Sequence, residues 1–183
     1  NPGLVALDRY SAVCEPDYVP GPDVLIDARC IDDLYRMLDD CVAVGNNPYI
    51  CSQYRSYEYQ NELYQAKIQR VMKEKGLDED EAKIEACRSV AMPGTSEHHL
   101  GLAVDIVDHD FTNLTYEQEE TATQQWLMEN SWKYGFILRY PSEKSDITYI
   151  IYEPWHYRYV GVANAESIHE SGLCLEEYLE IIG

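Results

Sequence analysis

The sequence has few basic residues. Its 183 residues include 14 lysines and arginines against 33 aspartates and glutamates, so the formal net charge is −19. Proteins that bind nucleic acid present a basic surface to the phosphates, and this composition therefore argues against a nucleic-acid partner. The acidity is typical of a protein that stays soluble through its charge. An anionic substrate would need a local basic group in its binding site.

The sequence also lacks long apolar runs, repeats and low-complexity segments. No stretch of 18 or more apolar residues occurs, which argues against a membrane-spanning segment in these 183 residues. No basic and apolar leader precedes the first element, and we interpret the start at Asn1-Pro2 as mature or trimmed. With 45% apolar residues, the chain is expected to form one domain over residues 1–183. The sequence does not determine the oligomeric state; the expectation is a monomer.

Cysteine pairs of the CxxC type are absent, which argues against structural zinc and thioredoxin-like chemistry. The cysteines could form up to three disulfides, although a chain of this size does not need them for stability. Cys41 lies on the apolar face of a predicted helix and Cys51 in a predicted strand, so we expect both to be core thiols. The cysteines do not indicate a cellular compartment. They stand at positions 14, 30, 41, 51, 87 and 174.

Apolar periodicity predicts helices and short strands in irregular order. Residues 1–24 contain four prolines and are expected to form an extended lead-in. Helices are predicted at Ile26–Val44, Tyr57–Lys75, Asp78–Val90, about Tyr116–Lys133 and the C-terminus. Strands are predicted within 47–56, at Leu102–Val107, and at 136–139, 147–153 and 156–160. This order indicates an α+β fold, with helices around a small, mostly antiparallel sheet.

The stretch "SEHHLGLAVDIVD" at 96–108 places two histidines ahead of a predicted strand that carries Asp105. In that strand Leu102, Val104 and Ile106 share one face, and Asp105 lies on the other. A buried carboxylate without a partner carries a large desolvation penalty. Asp105 is therefore expected to face a positively charged group.

A second stretch, "YEPWHYRYVG" at 152–161, brings Glu153 and His156 near each other in sequence. Residues three apart in a regular strand face opposite sides, but Pro154 favours a bulge or bend that could bring both to one side. Two histidines and one carboxylate are a common ligand set for catalytic zinc. The additional glutamate can serve as the base that takes a proton from zinc-activated water.

Alternatives to this interpretation remain open from the residues alone. Non-haem iron oxygenases also use two histidines and a carboxylate, but their first histidine and carboxylate are commonly two residues apart. Here the spacing is seven, and Glu153 would have no part in that chemistry. His99 could compete with His98 as the ligand, and Asp108 is interpreted as a carboxylate at the strand end.

Together, these motifs resemble the VanY-type D-alanyl-D-alanine carboxypeptidase family, which comprises zinc peptidases of the bacterial cell wall. The matching signature is Ser96-x-His98-x-x-Gly101-x-Ala103-x-Asp105 followed by Glu153-x-Trp155-His156. Further segments match in family order, at 54–64, 135–141, 153–161 and 174–179. The resemblance runs from about residue 25 to the end of the chain. It also implies the α+β fold, with the small sheet carrying the zinc site.

The resemblance implies a role for each matching position. His98, Asp105 and His156 are expected to hold zinc, while His99 falls at a variable position of the motif. Glu153 is expected to be the catalytic base and then the acid for the leaving amine. Arg55 matches the family arginine that faces the scissile carbonyl, where a guanidinium stabilises a developing oxyanion.

Two further positions are expected to bind substrate. Gln60 and Ser96 are candidates for hydrogen bonds to the peptide and its terminal carboxylate. Gln60 could instead be an amide on a helix surface, and Ser96 a turn residue that fixes the His98 loop. One departure from the family pattern is Tyr149, which stands where members often carry glycine. A tyrosine there could narrow the cleft or face solvent.

The function implied by the resemblance is zinc-dependent removal of the C-terminal D-alanine from peptidoglycan stem peptides. The same site could instead act as an L,D-carboxypeptidase on tetrapeptide stems, as a D,D-dipeptidase or as a peptidoglycan endopeptidase. A cell-wall binding module with structural zinc is the alternative without catalysis. Because the substrate lies outside the cytoplasm, the natural protein is expected to be exported or membrane-anchored.

Overall fold

A computed structural model describes residues 3–10 and 25–183, and it has an α+β fold with two antiparallel sheets. The smaller sheet pairs β1 with β2, and the larger one has the order β3-β4-β6-β5. The predicted fold class is thereby confirmed. The strands are β1 (Leu4–Ala6), β2 (Leu25–Asp27), β3 (Pro48–Ser52), β4 (Ala103–Asp108), β5 (Phe136–Leu138) and β6 (His156–Tyr159).

Seven α-helices lie among the described residues, and their ends follow local capping signals. The hydroxyl oxygen of Ser56 accepts a hydrogen bond from the Tyr59 amide at the start of the second helix, and Gly76 ends that helix in the left-handed region. Asp78 begins the third helix with a capping box. The helices are α1 (Ile31–Ala43), α2 (Tyr57–Lys75), α3 (Glu79–Cys87), α4 (Ala122–Asn130), α5 (Ser145–Thr148), α6 (Val162–Ser171) and α7 (Leu175–Ile182).

Several predicted elements are wrong, and in two of them a non-local contact or a cap overrides the apolar pattern. The helix predicted from Ile26 begins only at Ile31, since β2 pairs with β1. The helix predicted at Tyr116–Lys133 is divided into a 3-10 helix, α4 and a second 3-10 helix, with Thr121 capping α4. Residues 147–153 form no strand and include the end of α5. Helix α6 was not predicted.

The predicted faces of β4 are confirmed. Val104 and Ile106 are fully buried in the main core, where α1, α4 and the neighbouring strands pack. Asp105 lies on the opposite face, and its neighbour Val107 packs with Cys51 and Trp155 in a smaller cluster. Because side chains alternate along a strand, the sheet separates an apolar core from a face that is free to carry polar side chains.

The described cysteines at positions 30, 41, 87 and 174 are free thiols. Cys41 and Cys51 are buried among apolar side chains, which confirms that both are core thiols. Cys14 lies outside the described residues, as does most of the predicted lead-in. Among residues 3–10 and 25–183, no helix is both long and apolar enough to span a membrane.

Gly101 allows a close contact between the loop that carries His98 and the small sheet. Its φ is +70°, and a Cβ there would lie 2.7 Å from Leu4 Cδ2 and 2.9 Å from the Asp27 amide nitrogen. The Asp27 amide also donates a 2.9 Å hydrogen bond to the Gly101 carbonyl oxygen. The backbone of Asp27 therefore approaches this loop where only glycine fits.

Gly101→Ala is expected to lower the free energy of unfolding by about 2–5 kcal/mol, which combines left-handed strain with overpacking. Gly172→Ala is the matched control, because Gly172 has a φ of +66° and nothing within 4 Å of the added Cβ. The control is expected to lose only the strain, about 1–2 kcal/mol. Urea unfolding of both variants measures the difference, and equal losses would contradict the close contact.

Candidate active site

His98, Asp105 and His156 converge on the polar face of the large sheet. His98 lies in a 3-10 helix, Glu97–Leu100, that precedes β4, while Asp105 and His156 are directly paired across β4 and β6. One possible ligand atom from each residue lies within 4.8 Å of the others. His98 Nε2 is 3.4 Å from Asp105 Oδ2, and His156 Nδ1 is 2.9 Å from Asp105 Oδ1. All three side chains are buried.

The hydrogen bonds of the two adjacent histidines distinguish their roles. His98 Nδ1 lies 2.6 Å from the Gln53 carbonyl oxygen, which can only accept, so Nδ1 carries the hydrogen and Nε2 keeps its lone pair toward Asp105. His99 uses both ring nitrogens, since Nδ1 lies 2.8 Å from the Arg55 carbonyl oxygen and Nε2 accepts from the Gly94 amide. His98 is therefore the histidine of this pair that is oriented to bind a metal.

Glu153 reaches the cluster through a turn at Pro154 and Trp155. The His156 amide donates a 3.1 Å hydrogen bond to the Glu153 carbonyl oxygen, and the Glu153 carboxylate lies 3.9 Å from His156 Nδ1. Trp155 packs beneath this turn against Cys51 and Val107. The bend expected at Pro154 is present, and it brings Glu153 and His156 to one side.

Burial and charge separate the protonation states of these groups. Burial, helped by the positive charge of Arg55, lowers the pKa of His98 to about 4, so its ring is neutral and able to bind a cation. Burial opposes the charge of Asp105, but the neighbouring histidines and Arg55 hold its pKa well below the usual range. Burial raises the pKa of Glu153 to about 8, which suits a group that takes and returns a proton near neutral pH.

Arg55 lies beside Asp105 and is fixed by three side chains. Its Nε donates a 2.9 Å hydrogen bond to the Ser52 hydroxyl oxygen, and Nη2 donates a 2.7 Å bond to Asp105 Oδ2. Nη1 lies 3.4 Å from the Gln60 amide oxygen. A register shift between Ile50 and Ser52 places Ser52 opposite Asp105. The guanidinium remains partly exposed and places a positive charge beside the cluster.

The structure buries the side chains of Gln60 and Ser96 and exposes that of Tyr149. Gln60 is fully buried on α2 and donates a 2.8 Å hydrogen bond to the Ala91 carbonyl oxygen, so the helix-surface alternative is wrong. Ser96 is buried just before the 3-10 helix, but its side chain does not cap that helix. Tyr149 adopts a φ of +60° and is 78% exposed, so it faces solvent in a conformation that favours glycine.

Sequence reasoning missed Glu97, Arg139 and Tyr140. Glu97 Oε2 lies 3.5 Å from His156 Nε2, and Arg139 Nε donates a 2.8 Å hydrogen bond to Glu97 Oε1. The Tyr140 ring centroid is 4.9 Å from that of His156. Glu97 occupies an unassigned position of the signature, and residues 139–140 lie in the segment "GFILRYP". Their proximity to His156 depends on the β5–β6 pairing, which sequence spacing does not reveal.

The donor atoms of the cluster suit a zinc ion. Two imidazole nitrogens and one carboxylate oxygen form a known catalytic zinc set that leaves a position open. The neighbouring carboxyl group and guanidinium are groups that hydrolysis at such a centre can use. Fold and site together define an α+β protein with the side-chain arrangement of a metal-dependent hydrolase.

Comparison with known families agrees with this class. Residues 23–162 match the family model described as VanY: D-alanyl-D-alanine carboxypeptidase. The chain belongs to this family. The matched residues include the whole cluster and end at the start of α6, so α7 lies beyond them.

Individual relatives are similar over most of this chain. A D-alanyl-D-alanine carboxypeptidase of Enterococcus faecalis is 47% identical over 157 residues, which are 84% of this chain and 55% of the relative. The chain thus spans about half the length of the curated relatives it matches.

Solved structures extend the similarity to the fold. VanYB in complex with D-alanine-D-alanine has a TM-score of 0.78 and 42% identity, with 91% of each chain covered. The vancomycin-resistance D,D-pentapeptidase VanY in complex with Zn(II) has a TM-score of 0.76 and 40% identity, with 96% of this chain and 97% of that chain covered. The LdcB LD-carboxypeptidase has a TM-score of 0.80 and 35% identity, with 98% and 78% covered.

Proposed function

We propose that this chain is the catalytic domain of a zinc-dependent carboxypeptidase that removes the C-terminal D-alanine from peptidoglycan stem peptides. The observation that carries the proposal is the buried His98–Asp105–His156 cluster with the Glu153 carboxyl group beside it. Membership of the VanY family supports the reaction class. A relative with Zn(II) and another with D-alanine-D-alanine support the metal and the substrate terminus.

His98 and His156 would hold the ion through nitrogen, and Asp105 through oxygen. Zinc supplies a Lewis acid that polarises the scissile carbonyl and makes a water molecule more acidic. Glu153 takes the proton of that water and then gives it to the leaving amine of D-alanine. Arg55 points its partly exposed guanidinium at the reaction site, where it stabilises the oxyanion as negative charge develops.

Gln60 and Ser96 contribute to binding in different ways. Gln60 is buried between Arg55 and the Ala91 carbonyl oxygen, so we assign it to holding Arg55 toward the peptide. The Ser96 hydroxyl does not cap the 3-10 helix, and Ser96 lies one residue from Glu97 and two from His98. We therefore assign this hydroxyl to the terminal carboxylate of the substrate. Tyr149, which faces solvent, has no assigned contact with the substrate.

The substrate also implies a location. Peptidoglycan lies outside the cytoplasm, so the full-length protein would act on the extracellular or cell-wall side, either exported or anchored. The high negative charge of the chain argues against a nucleic-acid partner. The local charge of Arg55 is what allows an anionic peptide terminus to approach the site.

An L,D-carboxypeptidase acting on tetrapeptide stems is the second candidate. The observation in its favour is the similarity to the LdcB LD-carboxypeptidase, which covers 98% of this chain. Both reactions would use the same cluster, Glu153 and Arg55, and their substrates differ in the configuration of the residue before the scissile bond. A wall-binding module is disfavoured, because Glu153 and Arg55 would then have no function in the site.

D-Alanine release from synthetic pentapeptide and tetrapeptide stems tests the proposal, with zinc-loaded and chelator-treated protein compared side by side. We expect release from the pentapeptide that chelation abolishes and added zinc restores, because the reaction requires the metal to activate water. Metal-dependent release from the tetrapeptide alone would establish the second candidate instead. Release from neither, with zinc bound, would overturn the carboxypeptidase and favour an endopeptidase or a binding module.

A further inference from the structure

Two buried side-chain atoms face each other without another partner. Among residues 3–10 and 25–183, only Glu97 Oε2 and His156 Nε2 are buried polar side-chain atoms that lack a hydrogen bond. They are 3.5 Å apart. A buried polar atom without a partner is costly, so two such atoms at this distance satisfy each other after a small side-chain adjustment.

The charge state of Glu97 is set by two arginines. Arg139 Nε and Arg158 Nη1 lie 2.8 Å and 3.1 Å from Glu97 Oε1. Two guanidinium groups at these distances favour the ionised form of Glu97. The group is thus a carboxylate, with Oε1 engaged by the arginines and Oε2 directed at His156.

A carboxylate can only accept a hydrogen bond, and each ring nitrogen of His156 faces one: Nδ1 lies 2.9 Å from Asp105 Oδ1, and Nε2 lies 3.5 Å from Glu97 Oε2. An ion bound at Nδ1 would replace the hydrogen on that nitrogen, and the hydrogen that remains on Nε2 would then point to Glu97. Metal-binding histidines commonly donate their second N–H to a carboxylate, which fixes the ring and increases its basicity. Gln53 performs the corresponding function for His98 through a carbonyl oxygen.

We propose that Glu97 is a positioning residue of the metal centre, which accepts the Nε2 hydrogen of His156 and so directs Nδ1 to the ion. This inference rests on the zinc site of the proposed function. Glu97 itself touches neither the ion nor the substrate.

The same carboxylate connects the metal centre to the C-terminal helix. Arg139, which is buried, uses its two remaining nitrogens for a bidentate pair with Glu176 of α7, at 2.9 Å and 2.6 Å. Helix α7 lies beyond the residues that match the family model. Glu176 therefore offers a matched control, because it belongs to the same ion-pair network but does not contact His156.

Glu97→Gln and Glu176→Gln test the inference in the full 183-residue chain. Zinc affinity is measured by competition with a chromophoric chelator, the ligand field by the visible spectrum of the Co(II)-substituted protein, and folding by the melting temperature without metal. Loss of a carboxylate that orients a metal ligand typically weakens binding about 10–100-fold. We expect that loss and an altered Co(II) spectrum for Glu97→Gln, and wild-type affinity and spectrum for Glu176→Gln.

Wild-type zinc affinity and Co(II) spectrum in Glu97→Gln would overturn the inference and leave the proposed function intact. Equal losses in both variants would also overturn it, since Glu97 would then act only as an ion-pair partner of Arg139. Because glutamine preserves the size of the side chain, folding is expected to be retained. Should the metal-free melting temperature of Glu97→Gln fall sharply, the Co(II) spectrum of the folded fraction still distinguishes the two roles. Absence of zinc binding in the wild-type chain would overturn the proposed function itself.

Discussion

Glu153→Ala is expected to abolish nearly all D-alanine release while zinc binding is retained. Glu153 is a buried carboxyl group beside the three candidate ligands, 3.9 Å from His156 Nδ1, and its pKa of about 8 suits proton transfer. A positioned acid or base typically contributes about 10²–10⁴-fold to the rate. Because the proposed mechanism uses Glu153 in both proton transfers, a loss of at least about 10³-fold is expected. Turnover and zinc stoichiometry are measured on the same preparation.

Two further variants accompany this experiment. Glu153→Gln preserves the size of the side chain but cannot take a proton, so it is expected to be as inactive as the alanine variant. Glu143→Ala removes an exposed glutamate outside the cluster and is expected to turn over like the wild type. Turnover close to wild type in Glu153→Ala would show that another group is the base.

Arg55→Ala is expected to lower kcat about 10²–10³-fold, because loss of one donor to a developing oxyanion typically has an effect of this size. Zinc stoichiometry should remain at the wild-type value, since Arg55 contacts Asp105 but supplies no ligand atom. Steady-state kinetics on the pentapeptide, together with metal analysis, measure both quantities.

Arg55→Lys tests whether the charge of Arg55 is sufficient without its hydrogen-bond geometry. Lysine keeps the charge, but a single ammonium group cannot reproduce the separate contacts that the guanidinium makes with Ser52, Asp105 and Gln60. We expect only a partial recovery of kcat in the lysine variant. If zinc were lost from Arg55→Ala, the arginine would be a structural support for Asp105 rather than a catalytic group.

Elements with local signals could be predicted from the sequence. Helix α2 has its predicted bounds, because Ser56 and Gly76 mark its two ends within the chain itself. The alternating pattern of β4 likewise predicts which side chains enter the core. By contrast, β2 is defined by pairing with residues 4–6, and the apolar residues Ile26 and Ala28 fit a helix equally well when that partner is unknown.

In the site, too, the residues of a local motif could be predicted, and those brought in by tertiary contacts could not. The signature groups His98, Asp105, Glu153 and His156, and the structure places all four together. Burial of Gln60 and the approach of Glu97 to His156 depend on how α2 and β6 pack, and neither leaves a periodic signal. These roles follow from tertiary contacts between residues more than 30 positions apart.

The direct pairing of Asp105 with His156 also has a consequence for folding. Side chains alternate along a strand, so a slip of one residue between β4 and β6 would turn His156 into the core and Tyr157 out of it. A slipped alignment would separate the two ligands, so zinc would bind it more weakly than the native alignment. Zinc binding would therefore stabilise the native alignment of β4 and β6 over slipped alignments as the sheet forms. The ion would contribute to correct strand pairing as well as to catalysis.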